Sequence, residues 1–282
     1  MKINVSRSAG FCFGVRRAIE IALDTARTQK DVVMLGDIVH NDDVVRDVKR
    51  AGIEKVTSLK KNGKKTLLIR AHGAPAGVYR KARNLGYKIV DATCPKVTGI
   101  HRIVKKAEAR GYSVIVIGDE GHDEVKGILG QLKGKGMVIS GPKKISRKKI
   151  KKIKRACVVV QSTQDLENVK SILSVLKERI DELEFYNTIC ETTRVRQKEM
   201  RSMPLKNDVM LVIGSPKSAN TKRLYEISKR INPESHWIRS ARDIKDSWFE
   251  SAASVGIISG ASTPDYTTNE VIDYLAGRGK KR

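Results

Sequence analysis

Short apolar runs alternate along this chain with longer segments in which apolar residues recur every three or four positions. Runs such as Val32–Leu35 and Ser113–Ile117 have the length and the β-branched content of buried strands. The segments 15–27 and 97–110 place their apolar residues on one side of a helix. Regular alternation of strands and helices, separated by glycine-containing turns, predicts an α/β fold with mainly parallel sheets.

The same pattern divides most of the chain into predicted elements. Strands are expected at 2–5, 32–35, 66–70, 87–90, 113–117, 137–139, 158–160, 183–186, 208–213 and 255–258. Helices are expected around 15–27, 44–48, 77–85, 97–110, 125–132, 143–155, 166–180, 193–203, 221–231 and 271–275. The last three residues, 280–282, are expected to fray.

A cysteine precedes a predicted helix at three places in the chain. Counting 24 residues forward from each of them reaches a glycine that ends a strand-like run. The pairs are Cys12 with Gly36, Cys94 with Gly118, and Cys190 with Gly214. Three matches at one offset predict a threefold internal repeat of cysteine, helix, strand, glycine and polar loop. The three cysteines would then face one common centre.

The composition is that of a soluble protein with a sizeable core. Of 282 residues, 40% are hydrophobic, but no stretch approaches 18 consecutive apolar residues and the N-terminus lacks the apolar region of a signal peptide. We therefore expect a cytoplasmic protein without a membrane segment. Four cysteines in this length do not indicate a disulfide framework, so metal binding or catalysis is favoured for those in motifs. Cys157, which begins an apolar run, is interpreted as a buried core thiol.

The formal net charge of +25 makes polyanions candidate partners. Nine basic residues and no acidic ones lie between Lys143 and Arg155, where Ile145, Ile150 and Ile153 have helical spacing. A solvated basic helix is favoured over nucleic-acid binding, because no nucleic-acid-binding motif accompanies it and only 5% of the residues are aromatic. A basic nucleic-acid-binding protein with a structural metal site is the alternative function.

Polar side chains that can carry chemistry follow the predicted strands. Open α/β sheets form their sites at the carboxyl ends of strands, and helix N-termini there offer backbone N–H groups to phosphate. The candidates are His40, His72, Cys94, His122, Glu124, Thr163, Cys190, Ser218, Asn220 and Ser262.

Three cysteines from three repeats leave three alternatives open: a 4Fe-4S cluster, zinc with a histidine, or no metal. Structural zinc sites usually use close cysteine pairs, which this chain lacks. The spacing favours the cluster, because widely separated ligands from three lobes suggest a central site where the lobes meet. A 4Fe-4S cluster with three cysteine ligands leaves one iron with an open position suited to a Lewis acid.

Eight short motifs occur in order over nearly the whole chain. They are Gly10–Ala18, Val39–Asn41, Ala71–Gly73, Asp91–Pro95, Gly121–Val125, Gln161–Thr163, Gly214–Asn220 and Gly260–Asp265. No single motif is unique, but the ordered set resembles the 4-hydroxy-3-methylbut-2-enyl diphosphate reductase family of the methylerythritol phosphate route to isoprenoids.

This resemblance implies an α/β fold of three pseudo-repeated lobes around a central iron-sulfur cluster. The lobes would span 14–95, 96–189 and 190–282, with the N-terminal strand in 1–13 completing the third. The 4Fe-4S cluster would be bound by Cys12, Cys94 and Cys190.

The resemblance also implies roles for the other candidates. Glu124, Thr163 and His122 would be catalytic, with Glu124 and Thr163 delivering protons near the substrate hydroxyl. The diphosphate would be bound by His40, His72, His122, Ser218, Asn220 and Ser262. The reaction would be a reductive dehydroxylation of the allylic diphosphate to isopentenyl and dimethylallyl diphosphates, with electrons from a ferredoxin or flavodoxin.

Two positions depart from the family pattern. Ala219 stands where a second serine of the diphosphate loop is common, and Ser162 stands where a second threonine is common. The missing hydroxyl at Ala219 is expected to weaken substrate binding by about 1 kcal/mol. Asp123, next to Glu124, is expected to tolerate replacement by Asn.

The repeat predicts different outcomes for the four cysteines. Cys157→Ser is expected to retain iron because Cys157 lies outside the repeat, whereas Cys12→Ser, Cys94→Ser and Cys190→Ser each remove a thiolate ligand and lose the cluster or hold it poorly. Iron and sulfide assays on anaerobically purified variants measure the difference. Iron loss in Cys157→Ser, with full retention in one of the other three, would contradict this ligand assignment.

Overall fold

The computed structural model describes residues 1–61 and 65–279 and shows an α/β fold. The strands are β1 Lys2–Val5, β2 Val32–Leu35, β3 Glu54–Val56, β4 Thr66–Ile69, β5 Lys88–Asp91, β6 Ser113–Ile117, β7 Met137–Ile139, β8 Arg155–Val160, β9 Glu182–Phe185, β10 Val209–Ile213, β11 Ser235–Ile238 and β12 Ser254–Ser259. The helices are α1 Phe13–Thr28, α2 Asp42–Arg50, α3 Ala76–Asn84, α4 Pro95–Ala109, α5 Asp123–Leu129, α6 Arg147–Ile150, α7 Leu166–Lys177, α8 Glu191–Ser202, α9 Ala219–Ile231 and α10 Asp265–Gly279. The fraying expected at 280–282 lies outside the described residues.

The strands form three four-stranded parallel sheets with one repeated order. The orders are β3-β2-β4-β5, β7-β6-β8-β9 and β11-β10-β12-β1. In each sheet the second and third strands of this order are central. The fourth strand, β5, β9 or β1, is an edge strand, and a repeat cysteine follows it along the chain. The three parallel-sheet lobes predicted from the sequence are therefore confirmed.

The third sheet is completed by the N-terminal strand. Residues Lys2–Val5 of β1 pair in parallel with 254–257 of β12. β1 therefore occupies the edge position of the third sheet that β5 and β9 occupy in the other two sheets.

Both faces of the sheet β7-β6-β8-β9 are buried, which is typical of parallel sheets covered by helices. Successive residues of β6 and β8 alternate between two apolar clusters. One cluster includes Ile115, Ile117, Val158 and Val160 with Ile172 and Leu176 of α7. The other includes Val114, Val116, Cys157 and Val159 with Ile100 and Val104 of α4. This two-sided burial explains why the central strands are continuous apolar runs in the sequence.

Cys157 is the core thiol that its apolar surroundings predicted. Its side chain is fully buried. Burial raises the pKa of the Cys157 thiol to about 11, so at neutral pH it is a protonated thiol packed between strand and helix.

The basic helix predicted over 143–155 is wrong in its extent. A short 3-10 turn, Pro142–Lys144, precedes α6, which is a single turn. Ile150 is buried, and Ile145 and Ile153 pack against the same apolar cluster. The basic side chains are exposed. Like charges three and four residues apart repel each other, so this segment lacks the side-chain pairs that would extend a helix.

Two edge strands, β3 and β11, were not predicted. Glu54–Val56 and Ser235–Ile238 contain few apolar residues, so neither has a strand signature of its own. They form because backbone groups at the edge of β2 and β10 are available for parallel pairing.

The chain packs as two compact units. One unit comprises residues 1–16, 39–46 and 191–282 and contains the sheet β11-β10-β12-β1. The other comprises residues 17–38 and 47–190 and contains the other two sheets. The lobe boundaries at 14–95, 96–189 and 190–282 stay a prediction. Within the described ranges, no helix has both the length and the apolar character needed to cross a membrane.

Candidate active site

Each of the three repeat cysteines occupies the residue before a helix. Cys12 precedes α1, Cys94 precedes α4 and Cys190 precedes α8. All three are partly exposed, in contrast to Cys157. A side chain at this position lies near backbone N–H groups that have no partner within the helix, which is a favourable environment for a thiolate.

The same backbone hydrogen bond holds each of these cysteines. The cysteine N–H donates to the carbonyl of the residue two positions beyond the third strand of its sheet. The pairs are Cys12 with Ala261 at 3.1 Å, Cys94 with Ala71 at 3.0 Å, and Cys190 with Ser162 at 3.0 Å. The cysteine repeat in the sequence is therefore a repeat of local geometry within each lobe.

The helix that follows Cys12 supplies a hydrogen bond to its sulfur. The backbone N–H of Val15 donates to Cys12 Sγ at 3.4 Å. After Cys94, Pro95 is the first residue of α4, a position where its missing N–H removes no helical hydrogen bond. The chemistry of these partly exposed sulfurs at helix starts fits iron ligands.

The loop before Cys12 depends on a glycine. Gly10 has a φ of +90°, and a Cβ at this position would lie 2.1 Å from Asp265 Oδ1. The Gly10 N–H donates to Ser259 Oγ at 2.6 Å, and its carbonyl accepts from Arg196 Nη2 at 2.5 Å. Arg196 is only 1% exposed. These contacts hold the loop that contains Cys12, and the sequence did not identify Arg196 as part of it.

Glu124 is a buried acid of the second unit, with 1% of its surface exposed. Its Oε1 accepts the backbone N–H of Ser162 at 2.7 Å, and its Oε2 accepts the Ser162 hydroxyl at 2.8 Å. Burial raises the pKa of Glu124, the two hydrogen bonds from Ser162 lower it, and the nearby Asp119 raises it. The net upward shift favours the protonated acid that proton donation requires.

Thr163, the expected partner of Glu124, does not bind it directly. Within the described residues Thr163 Oγ1 accepts a hydrogen bond from Gln161 Nε2 at 3.0 Å, and both oxygens of Glu124 are bonded to Ser162. The sequence pointed to the Gln161–Thr163 motif but treated Ser162 as a departure from the family. The structure shows that Ser162 is the residue that holds the acid.

His122 and His72 lie together at the start of α5. Their ring centroids are 5.6 Å apart and the rings meet edge to face at 87°. His122 Nδ1 accepts the backbone N–H of Glu124 at 3.1 Å, so it caps the helix. An accepting Nδ1 places the proton of the neutral imidazole on Nε2.

Asp123, which is expected to tolerate replacement by Asn, forms an ion pair. Its carboxylate pairs with Arg70 at 2.6 Å, and the two side chains are only 23% and 17% exposed. Arg70 follows β4 and directly precedes the Ala71–Gly73 motif, so this ion pair joins the His72 loop to the start of α5. In the sequence, an arginine directly after a predicted strand was the one feature that could have indicated this ion pair.

The first unit contains the other candidate anion-binding groups. Ser218 caps α9, and its hydroxyl accepts the Thr221 N–H at 3.2 Å. Asn220 is 5% exposed, and its Nδ2 has no hydrogen-bond partner among the described residues. A buried amide without a partner at a helix N-terminus is suited to an anionic ligand. The hydroxyl of Ser262 donates to the backbone carbonyl of His40 at 3.3 Å.

The predicted site residues thus fall into two groups, each within one unit. The first unit contains Cys12, His40, Ser218, Asn220 and Ser262. The second contains His72, Cys94, His122, Glu124, Thr163 and Cys190. Along the chain, each of these residues follows a strand of a parallel sheet, as the sequence predicted.

A comparison with known families matches residues 3–276 to the LytB protein family. The chain belongs to the LytB family. Full-length relatives of this chain are named 4-hydroxy-3-methylbut-2-enyl diphosphate reductase. The protein from Pelobacter propionicus is 37% identical over 281 residues, covering 100% of both chains. The protein from Aquifex aeolicus is 37% identical over 273 residues, covering 95% of this chain and 94% of the relative.

Solved structures of LytB-type reductases have the same fold. A structure of (E)-4-hydroxy-3-methyl-but-2-enyl diphosphate reductase has a TM-score of 0.73 and 35% identity, covering 98% of this chain and 100% of that one. The reductase from Plasmodium falciparum has a TM-score of 0.91 and 25% identity, covering 98% and 88%. This LytB chain is therefore an enzyme of the oxidoreductase class, and the family assignment disfavours the nucleic-acid-binding alternative.

The start of α9 predicts a measurable contribution of Asn220 to anion binding in this LytB protein. Asn220→Ala removes a buried donor, so the affinity for inorganic pyrophosphate is expected to fall roughly 10- to 100-fold, the value of a hydrogen bond to a charged group. Isothermal titration calorimetry measures the affinity. Asn84→Ala, an exposed asparagine in α3, is the control and should bind as the wild type does. Equal affinities in all three proteins would rule out this role.

Proposed function

We propose that this chain reduces 4-hydroxy-3-methylbut-2-enyl diphosphate to isopentenyl and dimethylallyl diphosphates at a 4Fe-4S cluster bound by Cys12, Cys94 and Cys190. The LytB family assignment and the full-length relatives named as this reductase support the reaction. One observation on this chain supports the cluster most directly: three partly exposed cysteines share a helix-start position and the same backbone hydrogen bond.

The reaction replaces the allylic hydroxyl by hydrogen. The substrate takes up two electrons and two protons, the C–O bond breaks, one proton leaves with the oxygen as water, and the other is added to the carbon skeleton. When bound, the cluster supplies the electrons and an iron position that is open to a ligand. The chain's own residues bind the diphosphate, position the hydroxyl and deliver protons.

Diphosphate binding is assigned to polar groups at strand ends and helix starts. His40, Ser218, Asn220 and Ser262 are the proposed ligands from the first unit, and His72 and His122 are those from the second. Among the described residues the Nδ2 of Asn220 has no hydrogen-bond partner, which supports this role, because a buried amide gains most from a charged acceptor. The net charge of +25 attracts an anionic substrate.

Proton delivery is assigned to Glu124, with Thr163 near the substrate hydroxyl. Burial raises the pKa of Glu124, so the carboxyl retains its proton at higher pH than an exposed glutamic acid does. A proton is needed where the hydroxyl departs, since hydroxide is a poor leaving group in a site that excludes water. External electrons are assigned to a ferredoxin or flavodoxin.

Glu124→Gln tests the proton donor. The amide keeps the shape of the side chain and can still bond to both groups of Ser162, but it cannot donate a proton as an acid. We expect an intact cluster, retained substrate binding and turnover lowered at least about a hundredfold, the usual contribution of a positioned acid. Turnover with a reduced viologen dye, iron content and substrate affinity are measured together.

The matched control for this variant is Glu120→Gln. Glu120 lies in the same loop and is exposed. Glu120 is preferred to Asp123 as the control, because Asp123 pairs with Arg70 and an amide at that position would weaken the contact. Near-normal turnover in Glu124→Gln, at matched iron content, would show that the proton comes from another group.

A further inference from the structure

A buried histidine outside all the sequence motifs packs against the loop that contains His72. This residue, His101, lies in α4, and only 8% of its surface is exposed. Its Nε2 has no hydrogen-bond partner among the described residues. Burial and, to a smaller extent, the charge of Lys105 lower the pKa of His101 to about 4, although the charge of Asp91 raises it. At neutral pH the side chain is therefore a neutral imidazole, which has one N–H and one nitrogen that accepts a hydrogen bond.

The His101 ring fills the space beside two glycines. A Cβ on Gly73 would lie 2.8 Å from His101 Cε1 and 3.5 Å from Nε2. A Cβ on Gly127, in α5, would lie 3.5 Å from the same Nε2. Gly73 also has a φ of +72°, in the left-handed region that glycine adopts without strain. The ring thus lies between the loop that contains His72 and helix α5.

Three polar groups surround the position that a Cβ of Gly127 would take. This position lies 3.3 Å from the His72 carbonyl oxygen, 3.5 Å from His101 Nε2 and 3.8 Å from the backbone nitrogen of Ala74. Ala74 is buried, and its N–H donates to no group of the described residues. A buried N–H and a buried imidazole nitrogen stabilise each other when they share a hydrogen bond, directly or through one water.

Helix α5 already holds the end of this loop. Gln131 Nε2 donates to the Ala74 carbonyl at 2.8 Å and to the Gly127 carbonyl at 2.9 Å. The Ala76 N–H donates to the Gly130 carbonyl at 2.9 Å. These bonds fix the part of the loop that enters α3, and the His101 ring packs against the part that directly follows His72.

We propose that His101 is a positioning residue that holds the segment 72–74 against α5 and so sets the place of the His72 side chain for the diphosphate. The proposal rests on the proposed function, in which His72 is a diphosphate ligand. It has two parts. The ring fills the space between Gly73 and Gly127, and Nε2 is a hydrogen-bonding group for the loop backbone.

Three substitutions separate the shape of His101 from its hydrogen bond. His101→Gln keeps a polar group near the position of Nε2, because the glutamine amide lies at the end of a side chain of similar reach. His101→Leu keeps apolar volume and removes the polar atom. Gly127→Ala approaches the same place from α5, where its Cβ would enter between Nε2 and the His72 carbonyl. Alanine favours a helix more than glycine does, so a loss in this variant does not come from helix propensity.

The experiment compares anaerobically purified wild type and the three variants by three measurements. Hydrogen–deuterium exchange of residues 71–74, followed by mass spectrometry on the protein without ligand, reports how firmly the loop is held. Isothermal titration calorimetry gives the affinity for inorganic pyrophosphate. Turnover with a reduced viologen dye, at matched iron content, separates KM from kcat. Gly277→Ala, a helical glycine of α10 whose Cβ would meet nothing within 4 Å, is the control.

In His101→Leu the loop is expected to exchange several times faster, and pyrophosphate affinity is expected to fall about tenfold, the value of one hydrogen bond to a charged group. KM should rise by a similar factor with a smaller change in kcat, because the weakened contact binds substrate and transition state alike. Gly127→Ala is expected to resemble His101→Leu, and His101→Gln should stay within about threefold of wild type. Iron content stays unchanged, since no hydrogen bond among the described residues joins the His101 side chain to Cys94.

Different results would overturn different parts of the proposal. Unchanged exchange in His101→Leu would show that the ring does not hold the loop, and equal losses in His101→Leu and His101→Gln would refute the role of Nε2. Faster exchange with unchanged pyrophosphate affinity would show that the loop does not set the diphosphate contact. Should His101→Leu fail to fold, Gly127→Ala makes the same test from α5.

Failure of the proposed function gives a separate result. In that case the wild type binds no pyrophosphate and has no reductase activity. Loop exchange in the protein without ligand still decides whether His101 holds the segment 72–74.

Discussion

The backbone hydrogen bond from each repeat cysteine to the loop beyond its neighbouring strand is the contact on which the site geometry depends. It occurs three times, with donor and acceptor at equivalent places in three sheets of the same order. A parallel sheet brings the carboxyl ends of adjacent strands to one edge, and this bond joins the two loops that leave that edge. The cysteine is thereby held at the start of a helix while its sulfur stays partly exposed.

The acceptor loops in these bonds also carry the other candidate groups. Ala71 precedes His72, Ser162 holds Glu124, and Ala261 precedes Ser262. A change in one loop therefore acts on a cysteine and on a polar site residue at once. This coupling explains why short motifs rather than isolated residues characterise the sequence, since each motif supplies both a backbone acceptor and a side chain.

Glu124 shows how the second unit accommodates a buried carboxyl group. Burial of a carboxylate is unfavourable unless the charge is paired or the group is protonated. Here the carboxyl receives two hydrogen bonds from a single neutral residue, and its pKa stays above the ordinary value. Arg70 is paired with Asp123, the residue before Glu124 in the chain. Glu124 itself pairs with no basic side chain among the described residues, and its burial favours the protonated form.

The sequence by itself determined the features that depend on local periodicity. The strand and helix pattern, the repeat of Cys12, Cys94 and Cys190, and the buried state of Cys157 follow from residues close together in the chain, because strands and helices have their own side-chain periods.

The tertiary structure decided what depends on residues far apart. The pairing of β1 with β12 had no signal in the residues themselves and was expected only from the family resemblance. The edge strands β3 and β11 form by pairing rather than by pattern, and the charge run at 143–155 forms only one helical turn. The contacts of Glu124 with Ser162 and of Asp123 with Arg70 join loops that follow different strands. Local sequence patterns do not predict which loops a sheet brings together.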